Sequence, residues 1–155
     1  MPTRYDPQIG AEIIASHGAR PEMLVQILRG ICDRYGWISD AALRQVADAL
    51  NLSRADVHGA ARFYHDFRTA PPGRKVVKIC QAESCQAMGS RELTAHAERR
   101  LGVELNGTTA DGEASLEPVY CLGNCACSPA VMIDERVYGR VDAARLDRLL
   151  GRGTA

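Results

Sequence analysis

No apolar run in the 155-residue chain approaches the eighteen or so residues that a membrane span needs. The opening residues, Met1-Pro2-Thr3-Arg4-Tyr5, lack the apolar stretch of a secretory signal. These two absences predict a cytoplasmic protein with no membrane span. Neither sign of charge is in excess: 19 Lys and Arg stand against 19 Asp and Glu, and a cut after Ala70 leaves eight of each before it. Neither half carries the basic surplus that a phosphate backbone demands, which argues against nucleic-acid binding. Also missing are a Gly-x-Gly-x-x-Gly loop, a Cys-x-x-Cys pair and any obvious nucleophile-and-base constellation. Dinucleotide binding, thioredoxin-type dithiol exchange and conventional catalysis therefore each lack their residues.

What the chain does have is cysteine. Cys121, Cys125 and Cys127 fall within seven residues, and Cys80 and Cys85 precede them across a gap of thirty-five. Six cysteines would permit three disulfides in a secreted protein. In a reducing compartment, clustered thiols are expected to be metal ligands instead. Thiolates select zinc, cuprous copper or iron–sulfur clusters, and two short pairs distant in sequence can meet at one centre after folding.

The length suits one domain or two small ones, enough to bury about 70% of the unfolded surface. Up to about Phe67 the pattern is helical. Ile9, Ile13 and Ile14 share a face ahead of Gly18, and Pro21 opens a second helix with the stripe Leu24, Ile27, Leu28 and Ile31, ending near Gly36. Ser39 is a candidate N-cap for a third helix carrying Leu43, Val46, Ala47 and Leu50. Ser53 and Asp56 form a loose capping box for a fourth, with Val57, Ala60, Ala61 and Tyr64. Cys32 reads as a small, partly buried hydrophobe, Trp37 as a plug between helices, and His58, His65 and His96 as structural or surface residues.

Pro71-Pro72-Gly73 changes the character of the chain. The β-branched run Val76, Val77, Ile79 leads into Cys80, and a strand from Leu116 to Tyr120 leads into Cys121. Between them, Leu93, Ala97 and Leu101 mark a helix over 90–101, and Asp111-Gly112 marks a turn between two strands. Ala130 to Ile133 with Val137-Tyr138 predicts a hairpin, and Asp142 a cap for a last helix with Leu146, Leu149 and Leu150. The tail from Gly151 to Ala155 reads as frayed. The chain is thus expected to be α+β: a helical module over 1–70, then an α/β-like domain over 71–155. Both cysteine pairs sit at carboxyl ends of strands, where open α/β sheets gather their sites.

The spacings Cys80-x4-Cys85 and Cys121-x3-Cys125 match neither the short knuckles of structural zinc nor the plant-type ferredoxin run. Four thiolates on two loops suit a 2Fe-2S cluster, while zinc remains open because the same atoms would hold it as an interaction module. Gly89, Gly123, Ala126 and Ser128 are small enough for backbone N–H groups to approach the sulfurs, raising the potential of a cluster. Spacing alone lets Cys127 take the place of Cys125.

Cys80-x4-Cys85, Cys121-Leu122-Gly123-x-Cys125, the following Ser128-Pro129-Ala130-Val131-Met132-Ile133 and the upstream helical module ending Phe63-Tyr64 together resemble the thioredoxin-like 2Fe-2S ferredoxin subunits. That family includes the small flavoprotein-module subunit of respiratory complex I and its counterparts in NAD-reducing hydrogenases and soluble NAD-dependent formate dehydrogenases. Residues 51–59, residues 63–68 and Cys125-Ala126-Cys127 resemble the gamma subunit of the formate enzymes. The resemblance implies a helical region before a thioredoxin-like domain holding one 2Fe-2S cluster on Cys80, Cys85, Cys121 and Cys125. It implies no bond chemistry of its own and no catalytic residues. The expected partners are a beta-type iron–sulfur subunit that binds FMN and NAD, and an alpha-type molybdenum-containing subunit that oxidises formate. The hydrogenase and complex I branches are the alternative hosts.

Overall fold

The computed structural model describes residues 4–151, so the predicted frayed tail lies, beyond Gly151, outside the described residues. The chain divides into two compact units, Met1–Pro72 and Gly73–Ala155.

Among the described residues, the first unit holds four α-helices: α1 (Pro7–Ser16), α2 (Leu24–Tyr35), α3 (Asp40–Leu50) and α4 (Arg54–Phe63). Their ends follow from side chains that satisfy otherwise orphaned backbone groups. The carboxylate of Asp6 accepts the N–H of Gln8, the Ser39 hydroxyl that of Ala42, and the Ser53 hydroxyl that of Asp56. Pro21 opens a short 3-10 turn that runs into α2, and Gly36, at φ +78°, ends that helix in the left-handed conformation. The apolar stripes meet in one core containing Ile14, Ile27, Leu28, Ile31, Val46, Leu50 and Val57. Each fully buried aliphatic side chain contributes roughly 1.5–3 kcal/mol. Tyr64 departs from the expected pattern. It follows the last turn of α4 in an extended conformation, 42% exposed, and stacks with Phe63 and Phe67 rather than entering the core.

The second unit is a five-stranded mixed sheet in the order β2-β3-β1-β4-β5. Its strands are β1 (Lys75–Cys80), β2 (Gly107–Thr108), β3 (Ala114–Val119), β4 (Val131–Ile133) and β5 (Arg136–Tyr138). β1 and β3 are parallel and the other neighbours antiparallel. Three helices accompany it: α5 (Glu83–Ala87), α6 (Ser90–Leu101) and α7 (Ala143–Leu150). Strand alternation turns Val77, Ile79, Leu116, Val131 and Ile133 toward Leu93, Ala97, Leu146 and Leu150 of α6 and α7, closing a second core. His96 on α6 pairs with Asp147 on α7 at 3.0 Å, a structural link between the two helices.

Two details differ from the sequence expectation. β3 starts at Ala114 rather than Leu116, because buried Ser115 is held by polar contacts that an apolar pattern does not register. Its hydroxyl accepts the Gly73 N–H at 2.7 Å and meets Thr108 Oγ1 at 2.7 Å. The additional helix α5 is five residues long, too short for a helical period to emerge. Among the described residues, no helix is long and apolar enough to cross a membrane.

Candidate metal centre

The parallel pairing of β1 with β3 sets Cys80 opposite Val119, so the loops leaving the two strands begin side by side. The first loop passes directly into α5, which carries Cys85. The second turns sharply at Cys121, whose φ of +101° is strained for a side chain with a Cβ, at a cost of about 1–3 kcal/mol. In that conformation the Cys121 N–H lies close enough to the Cys80 thiol to favour its ionised form.

Four thiols converge in two pairs. Cys80 and Cys85 are each 2% exposed and near enough for each thiol to shift the ionisation of the other. Cys121 and Cys125 are exposed, with sulfurs 3.9 Å apart. Tetrahedral metal–thiolate bonds of about 2.3 Å place two sulfurs about 3.8 Å apart, so the outer pair fits one metal atom. Among the described residues, no three His, Cys, Asp or Glu side chains gather around one point as a single ion requires. A two-iron centre with one pair on each iron fits the donor chemistry and the pairing. Cys127 stands apart from the pairs, half-buried, in the 3-10 turn Cys125–Cys127.

Donors surround the sulfurs. The Gly123 N–H points to Cys121 Sγ at 3.4 Å, and the backbone N–H groups of Ala82 and Ala130 lie near enough to Cys80 and Cys85 to favour their ionised forms. Gly89, expected near the sulfurs, instead opens α6 at φ +93°. Burial pushes the Cys80 thiol up, offset only in part by the Ala82 and Cys121 N–H groups. Burial also pushes Cys85 up, but hydrogen bonds from Ser128, Ala130 and Cys80 outweigh it and hold that thiol below the ordinary value. Cys125 is pushed up by its hydrogen bond and charge contact with Cys121, then by slight burial and by Cys85 and Cys80. Four thiolates in one place repel each other, and metal cations relieve that repulsion.

Sequence reading missed one element of the site. Ser84 Oγ and Ser128 Oγ lie 2.7 Å apart, and both lie within hydrogen-bond reach of the Cys125 carbonyl, at 3.2 and 2.8 Å; with one hydrogen each, Ser128 donates to that carbonyl and Ser84 to Ser128 Oγ. Ser128 Oγ is also 3.6 Å from Cys85 Sγ. A two-serine bridge therefore ties the inner pair to the outer loop. Ser128 stood out in the sequence only as a small residue, and Ser84 carried no signal beyond adjacency to Cys85. An open groove of about 640 Å³ runs past Cys125, lined by Met88, Glu92, Pro129 and Arg140 among others.

The chain is 34% identical over 126 residues to an NADH-quinone oxidoreductase subunit from Pseudomonas aeruginosa, covering 81% of this chain and 76% of that protein. It is 39% identical over 116 residues to an NADH-quinone oxidoreductase subunit from Rhizobium meliloti, covering 75% of this chain and 69% of that one. Its structure is similar to that of an air-oxidised NAD+-reducing NiFe-hydrogenase, with a TM-score of 0.69 and 25% identity over 84% of this chain. This chain spans 22% of that hydrogenase chain. The model of the thioredoxin-like 2Fe-2S ferredoxin family matches residues 10–153. That match covers both cysteine pairs and the strands that carry them, and with it the chain belongs to the thioredoxin-like 2Fe-2S ferredoxin family, whose cofactor is one 2Fe-2S cluster.

Proposed function

We propose that the protein is the electron-transfer subunit of a cytoplasmic NAD-linked oxidoreductase, holding its single cluster on Cys80, Cys85, Cys121 and Cys125. The observation that carries this reading is the meeting of two cysteine pairs at neighbouring strand ends, one pair buried and the other exposed. When bound, the cluster supplies a one-electron redox centre. The residues of the chain do the rest. Cys80 and Cys85 anchor the inner side in the apolar company of Ala130, Val119 and Leu122. Cys121 and Cys125 keep the outer side at the surface, where a redox partner can approach. The N–H groups of Gly123, Ala82 and Ala130 and the Ser128 hydroxyl favour added negative charge on the sulfurs. Tyr120 and Met88, each about three-fifths exposed next to the outer loop, offer apolar area to a partner that carries FMN and the NAD site.

For the host we favour the NAD-dependent formate dehydrogenase, with a molybdenum-containing catalytic subunit, on the likeness of residues 51–59, residues 63–68 and Cys125-Ala126-Cys127 to its gamma subunit. The second reading, an NADH-quinone oxidoreductase or NAD-reducing hydrogenase, draws on the relatives that carry those names. Native purification of the complex tests both. Co-purifying molybdenum with NAD-dependent formate oxidation is the expected result; nickel, or a quinone-reducing complex, would reassign the host. Anaerobic preparations assayed for iron, acid-labile sulfide and zinc test the cofactor ligation, and a colourless protein with stoichiometric zinc would overturn it.

A further inference from the structure

Cys125 is exposed; its carbonyl is met by the Ser84 and Ser128 hydroxyls, and the course of its side chain follows from the backbone of the turn it begins. That turn closes through the Cys127 N–H to the Asn124 carbonyl at 3.0 Å, and it bears directly on a second segment, Gly139–Arg140–Val141. The Arg140 N–H donates to the Cys127 carbonyl at 2.6 Å and the Val141 N–H to the Pro129 carbonyl at 3.0 Å. One hydrogen bond thus falls on each side of Ser128. Arg140 reaches this position only with a left-handed backbone, φ +49°. Behind it, Val141 is buried in the sheet–helix core and Asp142 caps α7 through the Arg145 N–H. Ahead of it, β5 is hydrogen-bonded to β4. The segment is therefore fixed at both ends to the rigid part of the unit.

Contact between the two segments is close enough to exclude a side chain. A Cβ at position 139 would stand 2.6 Å from Cys127 Cβ, 2.7 Å from Asn124 Nδ2 and 2.8 Å from the Cys127 carbonyl oxygen. The amide of Asn124 can swing aside, but the other two atoms belong to the turn itself. Nothing in the backbone angle of Gly139 calls for glycine, so the requirement at this position is steric.

We propose that Gly139–Arg140–Val141 is a clamp that positions Cys125 against Cys121, with Gly139 as the residue that admits the close approach and Cys127 as the surface it presses on. The proposal rests on Cys125 being the fourth ligand and assigns Cys127 a packing role. It makes residues outside both cysteine loops responsible for the geometry of the outer sulfur pair.

The test is Gly139→Ala in the full chain, reconstituted anaerobically beside wild type and beside Gly59→Ala, where a Cβ meets nothing within 4 Å. The clamp predicts unchanged far-ultraviolet circular dichroism for Gly139→Ala, an altered electron paramagnetic resonance spectrum of the reduced protein, and iron release to a chelator faster by about tenfold or more. Gly59→Ala should match wild type in all three. Adding Cys127→Gly to Gly139→Ala removes the Cβ contact and should move spectrum and release rate back toward wild type. A Gly139→Ala spectrum and release rate equal to wild type would overturn the clamp. If Gly139→Ala takes up no iron, the double variant decides, with recovery supporting the clamp and continued failure overturning it. Cys127→Ser alone separates the premise. Retention of iron with a silent Gly139→Ala refutes only the clamp, whereas loss of iron in Cys127→Ser refutes the ligand assignment and the clamp with it.

Discussion

Ser128→Ala removes one buried hydroxyl and leaves the turn backbone in place. In the thiol form of the protein the Cys85 S–H donates to Ser128 Oγ at 3.6 Å, while the Ser128 O–H donates to the Cys125 carbonyl at 2.8 Å. If Cys85 ligates the cluster as proposed, its sulfur would have no hydrogen to give, so the Ser128 hydrogen would turn to it and the Cys125 carbonyl would take the Ser84 hydroxyl, 3.2 Å away, instead. Hydrogen bonds to charged acceptors contribute roughly 1.5–3 kcal/mol, and a bond to sulfur of this length belongs at the low end. The reduced centre carries one more negative charge and gains more from the donor. Assigning about 1 kcal/mol of that gain to the reduced form alone gives a potential about 40 mV more negative in the variant, because a tenfold one-electron shift is about 59 mV or 1.4 kcal/mol. The assay is an anaerobic redox titration followed by electron paramagnetic resonance, with Ser84→Ala alongside. Ser84 touches Ser128 and the Cys125 carbonyl, so its removal should shift the potential by much less. A Ser128→Ala potential equal to wild type, or an equal shift in both variants, would refute the reasoning.

The other perturbations probe separate parts of the chain. Cys125→Ser should lose or severely damage the cluster and Cys127→Ser should keep it, as read from iron and sulfide content after anaerobic reconstitution; the reverse result would exchange the two roles. Leu116→Ala, at a position with no exposure, should destabilise the second unit by about 2–5 kcal/mol in denaturant unfolding, and a negligible change would mean that β3 does not carry the core. Tyr5 donates to Gln45 Oε1 at 2.6 Å, and burial, followed by Tyr35 and Asp6, pushes its ionisation from 10.0 up to about 12. Its folded value lies above its unfolded one, so its contribution to stability is complete below pH 10 and is lost as the pH rises from there through about 12. Unfolding measured across that window should show the loss in wild type and less of it in Tyr5→Phe.

The helical unit was legible in the sequence because each signal was local. Ser39, Ser53, Gly36 and Asn51 end or begin helices where side-chain capping and left-handed φ values say they should. The strand leading into Cys80 was legible for a related reason, since a β-branched run marks it, and its parallel pairing with the strand before Cys121 brings the two loops together as expected. What escaped was set by tertiary contact. The start of β3 depends on Ser115 meeting Gly73 and Thr108. The tie between Ser84 and Ser128 joins residues 44 apart. The steric demand at Gly139 comes from a turn that is distant in sequence. No propensity or period encodes such meetings, because each belongs to two segments at once.

The parallel pairing of β1 with β3 also sets a schedule for biogenesis. Cys125 is synthesised forty residues after Cys85, a delay of roughly 2–8 s at translation rates of about 5–20 residues per second. Through that interval the first two thiols exist without the second two. On the proposed ligand set, the four would meet only once β3 has docked beside β1, since the Gln81 N–H to Val119 carbonyl bond, at 2.8 Å, extends that pairing to the start of the loops. On that ligand set, iron and sulfide reaching the nascent chain in this interval would find half a site.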